Sequence, residues 1–143
     1  MHCYYNTMNT DDYLAAYEKE TNRYLENKTT VKIEKEITNS LGGILPYHET
    51  LKGYRFVDEI PMLHVGKYTR WINKLDDGAS GGAPPITSGG FLTVIDYTNN
   101  GILLTIKIWQ NRFIKILFDE CLIYQKLTPG EKLVLSVADY LDK

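Results

Sequence analysis

The sequence predicts a mainly β protein in which a small antiparallel barrel is flanked by helices. Residues 91–97 and 102–109 are rich in apolar and β-branched side chains, and the Asn-Gly pair between them is the strongest short-range signal for a hairpin. Further short apolar runs follow at closely spaced turns. Thr128-Pro129 then begins a pattern that is typical of a helix start.

The strands are expected to be short and antiparallel, and we expect about five strands from six runs with strand character. After the hairpin, Gln110-Asn111 makes a second turn. A small, strongly bent sheet of this size usually closes so that no edge stays bare, which favours an SH3-like barrel. The runs with strand character are 54–57, 66–73, 91–97, 102–109, 112–118 and 122–126.

The glycines and the proline in residues 41–46 break the pattern and predict a boundary. We expect an N-terminal helical arm over residues 1–45 and a small β-barrel domain with a C-terminal helix over residues 50–143. Within the arm, residues 29–38 fit either a half-exposed strand or a continued helix. Two β-branched threonines at their start favour the strand.

Residues 10–27 have the spacing of an amphipathic helix, and their apolar stripe includes Tyr13, Tyr17 and Tyr24. The simpler interpretation is that this helix packs on its own domain. The alternative is that the stripe contacts another subunit, because tyrosine is enriched at protein interfaces. The three tyrosines are therefore candidate interaction residues.

The C-terminal helix is predicted from its start. Thr128 is placed as the N-cap, Pro129 as the first helical residue and Glu131 as the partner in a capping box. We expect the helix to close one end or face of the sheet. Its expected buried stripe is Leu133, Val134, Val137, Tyr140 and Leu141.

Residues 75–90 lack periodicity and contain several Gly and Pro residues. A loop of this length is either functional or mobile in a small domain. The glycine-rich part, residues 78–82, lacks the Gly-Lys-Ser/Thr of a phosphate-binding loop. A flexible surface loop is the simpler interpretation.

Composition excludes some classes of partner. The chain has 16 Lys and Arg against 18 Asp and Glu, so a surface that is basic throughout is excluded although a local basic patch is not. No apolar run has the length of a membrane span. No signal-peptide pattern begins the sequence, and two distant cysteines indicate reduced thiols. We expect an intracellular (cytoplasmic) or virion location, and not secretion.

The sequence offers no recognisable catalytic constellation. His2, His48 and His64 are scattered and show no spacing typical of metal ligands. Cys121 follows two acids, which would raise the pKa of its thiol and make it a poor nucleophile. We therefore expect no catalytic residues, no metal and no cofactor. The protein is not expected to be an enzyme, and no small-molecule substrate is evident.

Residues 66–72 (GKYTRWI), residues 89–92 (GGFL), the hairpin and Trp109 together carry a resemblance. Over about residues 60–126 the chain resembles the small barrel modules in uncharacterised proteins of large eukaryotic DNA viruses. Several such proteins are thought to be virion components, including minor capsid proteins. The resemblance implies a structural or interaction role and supplies no catalytic residues.

Two functional hypotheses follow. The first is a non-catalytic interaction protein, as a minor capsid component that bridges other protein subunits through its arm. The alternative is a small barrel that binds single-stranded nucleic acid, because cations interleaved with aromatic rings can neutralise phosphates and stack bases. Its candidate contacts are Lys67, Arg70, Trp71, Lys107 and Arg112.

Overall fold

The computed structural model describes residues 25, 28–42, 46–76 and 84–142. The helix predicted over residues 10–27, with Tyr13, Tyr17 and Tyr24, lies outside the described residues. Contacts divide the chain into two compact units. The predicted boundary between arm and main domain stays a prediction.

The first unit, residues 33–126, is built around a six-stranded antiparallel sheet. Its strand order is β1-β6-β2-β3-β4-β5, and every neighbouring pair is antiparallel. The prediction of a mainly β fold with antiparallel strands and helices is confirmed. The elements are α1 (Thr30–Ser40), β1 (Tyr54–Val57), β2 (Tyr68–Asn73), β3 (Gly90–Thr98), β4 (Gly101–Ile108), β5 (Arg112–Leu117), β6 (Cys121–Lys126) and α2 (Pro129–Leu141).

The sheet is open. Its edge strands, β1 and β5, do not pair with each other in the part of the chain that the structure describes. The closed SH3-like barrel is therefore not confirmed. β1 has only four residues, so it offers few backbone groups with which β5 could close the sheet.

One face of the sheet carries the larger hydrophobic core. The α-helices that the structure describes contribute no residue to this cluster, although several of its members are fully buried. The strands and their connections, including the 3-10 turn Phe118–Glu120, supply these core residues. The cluster comprises Val57, Leu63, Trp71, Leu92, Leu104, Ile106, Phe118, Cys121 and Ile123.

In the described part of the chain, α1 covers the opposite face at β1, β6 and β2. Ile37 and Leu41 of the helix segment share a buried cluster with Tyr54, Ile72 and Tyr124. The Tyr124 ring is fully buried there, and its hydroxyl lies 2.8 Å from Ser40 Oγ. The face of the sheet formed by β3, β4 and β5 has no such cover in this cluster.

The strand that we favoured over residues 29–38 is wrong, because the chain is helical there. Thr29 Oγ1 accepts a hydrogen bond from Lys32 N at 3.3 Å, as a helix N-cap does. Ile33 and Ile37 are buried at a spacing of four, whereas Val31 is exposed. Burial of one helical face therefore outweighs the strand preference of the threonines.

Both predicted turns are present. Thr98 pairs with Gly101, so the first hairpin turns at Asn99-Asn100. Gly101 adopts a positive φ of 125°, whereas Asn99 and Asn100 do not adopt positive φ. The second turn, between β4 and β5, holds Gln110 and Asn111 at φ values of 62° and 57°. Left-handed backbone costs about 1–2 kcal/mol for each non-glycine residue.

A buried glutamine fixes the connection between β1 and β2. Gln125 Oε1 accepts from His64 N, and its Nε2 donates to His64 O, both at 3.0 Å. The same Nε2 donates to Thr69 Oγ1 at 3.1 Å. Arg55 donates from Nη2 to Met62 O at 2.6 Å in the same connection. These bonds satisfy backbone groups that would otherwise be costly to bury.

The second unit contains α2 and the described residues before residue 33. The predicted capping box is confirmed: Thr128 Oγ1 accepts from Glu131 N, and Glu131 Oε1 accepts from Thr128 N. Asp139 accepts from both Thr30 N and Thr30 Oγ1, which places a carboxylate at the start of α1.

The buried stripe that we expected on α2 is wrong. Glu131 and Leu135 are buried, and Asp139 is on the same side at the same spacing of four. The hydrogen bonds from Thr30 to Asp139 hold this face of α2 towards the start of α1. Most of the expected stripe is exposed, namely Leu133, Val137, Tyr140 and Leu141. Neither described helix is long and apolar enough to cross a membrane.

Candidate functional site: an aromatic groove at one end of the sheet

A groove of about 770 Å³ lies where β2 and β3 begin and β4 ends. Trp71, Ile108 and Ile114 give it apolar surface, and Trp109 is exposed beside them. The only titratable side chains among the described lining residues are Tyr68 and Lys107. The lining is Tyr68, Trp71, Thr87, Ser88, Gly89, Gly90, Phe91, Lys107, Ile108, Trp109, Gln110, Asn111 and Ile114.

One wall is the segment that leads into β3. Thr87 N donates to Trp71 O at 3.1 Å, and Thr87 Oγ1 accepts from Trp71 N at 3.2 Å. Tyr68 Oη donates to Ser88 O at 2.5 Å. These bonds hold the wall against β2. The described end of the predicted loop 75–90 therefore lines the groove.

Gly89 and Gly90 permit this close approach. A Cβ on Gly89 would lie 2.6 Å from Thr69 O, and the residue has a φ of 91°. A Cβ on Gly90 would lie 2.3 Å from Lys107 O. Any larger residue would push β3 away from its neighbours. The Gly-Gly of the sequence motif thus has a packing role beside the groove.

The two tryptophans occupy different environments. Trp71 is 6% exposed and belongs to the core, whereas Trp109 is 81% exposed at the turn between β4 and β5. The sequence did not distinguish them, because each lies near a strand end among cations. Trp109 is the most exposed of the described large apolar side chains.

Four residues form a row across neighbouring strands, which we call the aromatic–lysine row. Register pairs join Tyr68 to Phe91, Phe91 to Lys107, and Lys107 to Phe113. Paired residues point to the same face, so the row lies on the same face of the sheet as α1. The helix packs on that face at β1, β6 and β2. The Tyr68 and Phe91 rings meet edge to face, with centroids 5.3 Å apart. Phe91 and Phe113 are 54% and 58% exposed.

The five predicted nucleic-acid contacts are not brought to one surface. Lys67 and Trp71 are buried. The Arg70 guanidinium lies 5.8 Å from the Tyr54 ring centroid, on the face covered by α1. Lys107 and Arg112 are both exposed near the β4–β5 turn. They point to opposite faces, because Lys107 pairs with Phe113 and not with Arg112.

Sequence reasoning missed Phe91 and Phe113 as surface residues. A signal was available, because Phe91 precedes the fully buried Leu92, and Lys107 follows the fully buried Ile106. Strand alternation places these neighbours on opposite faces. The missing knowledge was which face α1 covers.

The pKa of the Cys121 thiol is raised, as the sequence predicted. Burial and, to a smaller extent, the negative charge of Glu120 raise the pKa of its thiol to about 11, and Lys74 opposes the rise. The thiol is buried and forms no disulfide. Within the described ranges, no group of three or more His, Cys, Asp or Glu side chains could hold a metal ion.

Comparison of the chain with protein-family models, with curated proteins and with solved structures gives no match. The geometry of the groove and of the aromatic–lysine row is therefore the basis for a functional proposal.

Proposed function

We propose that this protein is a non-catalytic interaction protein that bridges other subunits of an assembly, and that the aromatic groove binds one of them. The observation that carries the proposal is the exposure of Trp109 beside Phe91 at a concave apolar surface. Large exposed aromatic side chains of this kind dominate protein interfaces. Contiguous apolar surface on a soluble protein commonly marks a binding site.

The turn that presents Trp109 supports this role. Gln110 and Asn111 both adopt left-handed backbone, which costs free energy that the fold must supply elsewhere. Such strained residues cluster at binding sites. This turn places Trp109 directly after β4, where its side chain is 81% exposed.

The viral resemblance supplies the setting of the proposal, a minor capsid component of a virion. An antiparallel sheet whose larger core contains no residue of the described α-helices supports a relationship to small barrel modules, although its edge strands do not pair with each other. The N-terminal arm is proposed as the second contact, through Tyr13, Tyr17 and Tyr24.

A photo-cross-linking experiment tests the groove. Benzoylphenylalanine is placed at Phe91 or at Tyr97, which are exposed positions towards opposite ends of β3. We expect a discrete protein adduct in cells of the natural source from Phe91 only. Adding Trp109→Ala should abolish that adduct. Equal adducts from both positions, or none from Phe91, would contradict the proposal.

The arm is tested in the full-length chain with Tyr13, Tyr17 and Tyr24 all replaced by serine. If the stripe contacts another subunit, the variant keeps its thermal midpoint and fails to enter the assembly. If the stripe packs on its own domain, the midpoint falls. Truncation at residue 45 is unsuitable, because it removes Ile37 and Leu41 from a buried cluster.

A second candidate is the binding of single-stranded nucleic acid, and the aromatic–lysine row favours it. Lys107 lies between Phe91 and Phe113 on an exposed face, and Lys115 is exposed on the same face of the adjacent strand. Aromatic rings on a sheet surface can stack bases while cations contact phosphates. The net charge of −2 favours the protein partner.

Titration with an oligothymidylate separates the two candidates. Binding at the row should quench Trp109 fluorescence, while the buried Trp71 supplies a constant background. Two phosphate contacts, from Lys107 and Lys115, would give a slope of about −1.4 in log affinity against log salt, at roughly 0.7 per contact. An unchanged fluorescence at low salt would remove this candidate.

A further inference from the structure

The two edges of the sheet differ in exposure. β1 has four residues and three of them are buried, whereas the first four of the six residues of β5 are exposed. The outer side of β5 pairs with no strand that the structure describes. Unpaired N–H and C=O groups on such an edge form a ready site for another strand.

We propose that β5 pairs with β5 of a second copy of this chain, antiparallel and about a two-fold axis at Ile114. The two open sheets would then form one continuous sheet. The argument rests on the sequence of β5, Arg-Phe-Ile-Lys-Ile-Leu, which is complementary to itself in this register.

The two-fold axis fixes which residues meet. The axis is perpendicular to the sheet, so each face of one copy continues as the same face of the other. Opposing residues must therefore lie on the same face, and their residue numbers must differ by an even number. With the axis at Ile114, residues 112–116 of both copies pair. Phe113 then lies opposite Lys115 of the partner subunit, and the same contact recurs across the axis.

Neighbouring registers are less favourable. An axis at Lys115 would place two lysines directly opposite each other, which destabilises a strand pair. An axis at Phe113 would pair Lys115 with Asn111, whose φ of 57° belongs to the turn and not to a strand. The axis at Ile114 avoids both conflicts.

Both faces gain contacts in this register. Ile114 pairs with the buried Ile106 on β4, so it points to the core face, where it is 37% exposed. Two Ile114 side chains would cover each other at the axis. On the other face, Phe113 would lie between Lys107 of its own chain and Lys115 of the partner subunit, which is favourable for a cation–π contact.

This inference goes beyond the proposed function. The partner is an identical chain, and the surface is the edge of β5, whereas the proposed function uses the groove and a different protein. The two surfaces share Ile114, which lines the groove and would lie at the two-fold axis, but Phe113 does not line the groove, so the Phe113 variants change the dimer contact and leave every groove residue in place. The cross-linking result at Phe91 is therefore separable from the oligomeric state.

Sedimentation equilibrium of the full chain, under reducing conditions, provides the test. Two variants remove the same exposed ring and differ only in charge: Phe113→Lys and Phe113→Glu. Phe113→Lys places a lysine opposite Lys115 at both symmetry-related contacts, and should raise the dissociation constant of the dimer about 10-fold to 100-fold. The second places glutamate opposite Lys115, and should dimerise within about threefold of the wild type.

A compensating variant tests the register itself. Phe113→Lys combined with Lys115→Glu restores opposite charges across the axis and should recover the dimer that Phe113→Lys loses. Thermal midpoints confirm that all variants fold. The proposal is overturned by a wild-type monomer at the highest soluble concentration, by equal effects of the two Phe113 variants, or by failure of the double variant.

Discussion

The sheet has two halves of similar strand content and different surroundings. In the closed half (β1, β6 and β2) one face packs on the core and the other on α1. In the open half (β3, β4 and β5) only the core face is buried, and aromatic side chains on the other face meet solvent. The difference shows that the placement of one short helix decides which described strands keep an exposed face.

The largest expected change in the free energy of unfolding comes from a comparison of a core residue with an exposed residue of the open half. Ile123→Ala removes a fully buried side chain from β6, and should lower the free energy of unfolding by about 2–5 kcal/mol. Tyr97→Ala in β3, at a side chain that is 75% exposed, should change it by no more than about 0.5 kcal/mol. Urea unfolding measures both. Similar losses would show that the open half is buried after all.

The seam between the halves is the next test. β2 and β3 share only two register pairs, and Gly90 belongs to one of them. Because a Cβ there would lie 2.3 Å from Lys107 O, Gly90→Ala should cost about 1–3 kcal/mol of unfolding free energy.

Gly130→Ala in α2 is the matched control for the seam. The nearest atom to its new Cβ would be Thr128 Oγ1, at 3.9 Å, so alanine fits without strain. Helix propensity then predicts a gain of up to about 1 kcal/mol. Equal destabilisation by both substitutions would mean that the close approach at Gly90 is not what holds the halves together.

A third test compares two glutamines. Gln125→Leu in the closed half leaves His64 N and O without their side-chain partner, and should lower the free energy of unfolding by about 1–3 kcal/mol. Gln110→Ala at the exposed turn of the open half should change it by about 0.5 kcal/mol or less. Faster amide exchange at His64 in the Gln125 variant would locate the effect. Unchanged exchange there would contradict it.

The smallest effect is a pH dependence within the closed half. Burial raises the pKa of Cys121 from its ordinary value of 9.0 to about 11. Between these two values the folded protein holds a proton that the unfolded chain releases, so the stability from this group falls as pH rises from 9 to 11.

Cys121→Ala isolates this contribution. The raised pKa of the buried Tyr124 acts in the same direction in both proteins and cancels in the comparison. Urea unfolding across this pH range should give a steeper decline for the wild type than for the variant. Parallel curves would mean that the thiol is accessible to solvent.

Local patterns predicted much of the fold. The hairpin at residues 98–101, the alternation along β2 and the capping box at Thr128 all involve residues a few positions apart, whose chemistry favours one conformation. The pairing of β1 with β6 joins residues about seventy positions apart, for example Phe56 with Tyr124. No short pattern encodes such a contact, because loop-closure entropy and burial of the whole chain decide it.

The candidate site was predicted less well. Lys107 and Arg112 are exposed as expected, but Lys67 and Trp71 are buried. A lysine or tryptophan on a half-buried strand can point to either face, and its neighbours in sequence are the same in both cases. Trp109 is different, because it lies in the turn after β4 and not within a strand, and its side chain is exposed there.

The sequence by itself determined the strands, the two turns between β3 and β5 and the start of α2, because these depend on backbone preferences and side-chain alternation over a few residues. The tertiary structure alone decided that the sheet stays open, that α1 covers one half of a face, and that Phe91, Trp109 and Phe113 meet solvent. Those outcomes depend on which distant apolar surfaces bury each other, and hydrophobic burial is non-directional.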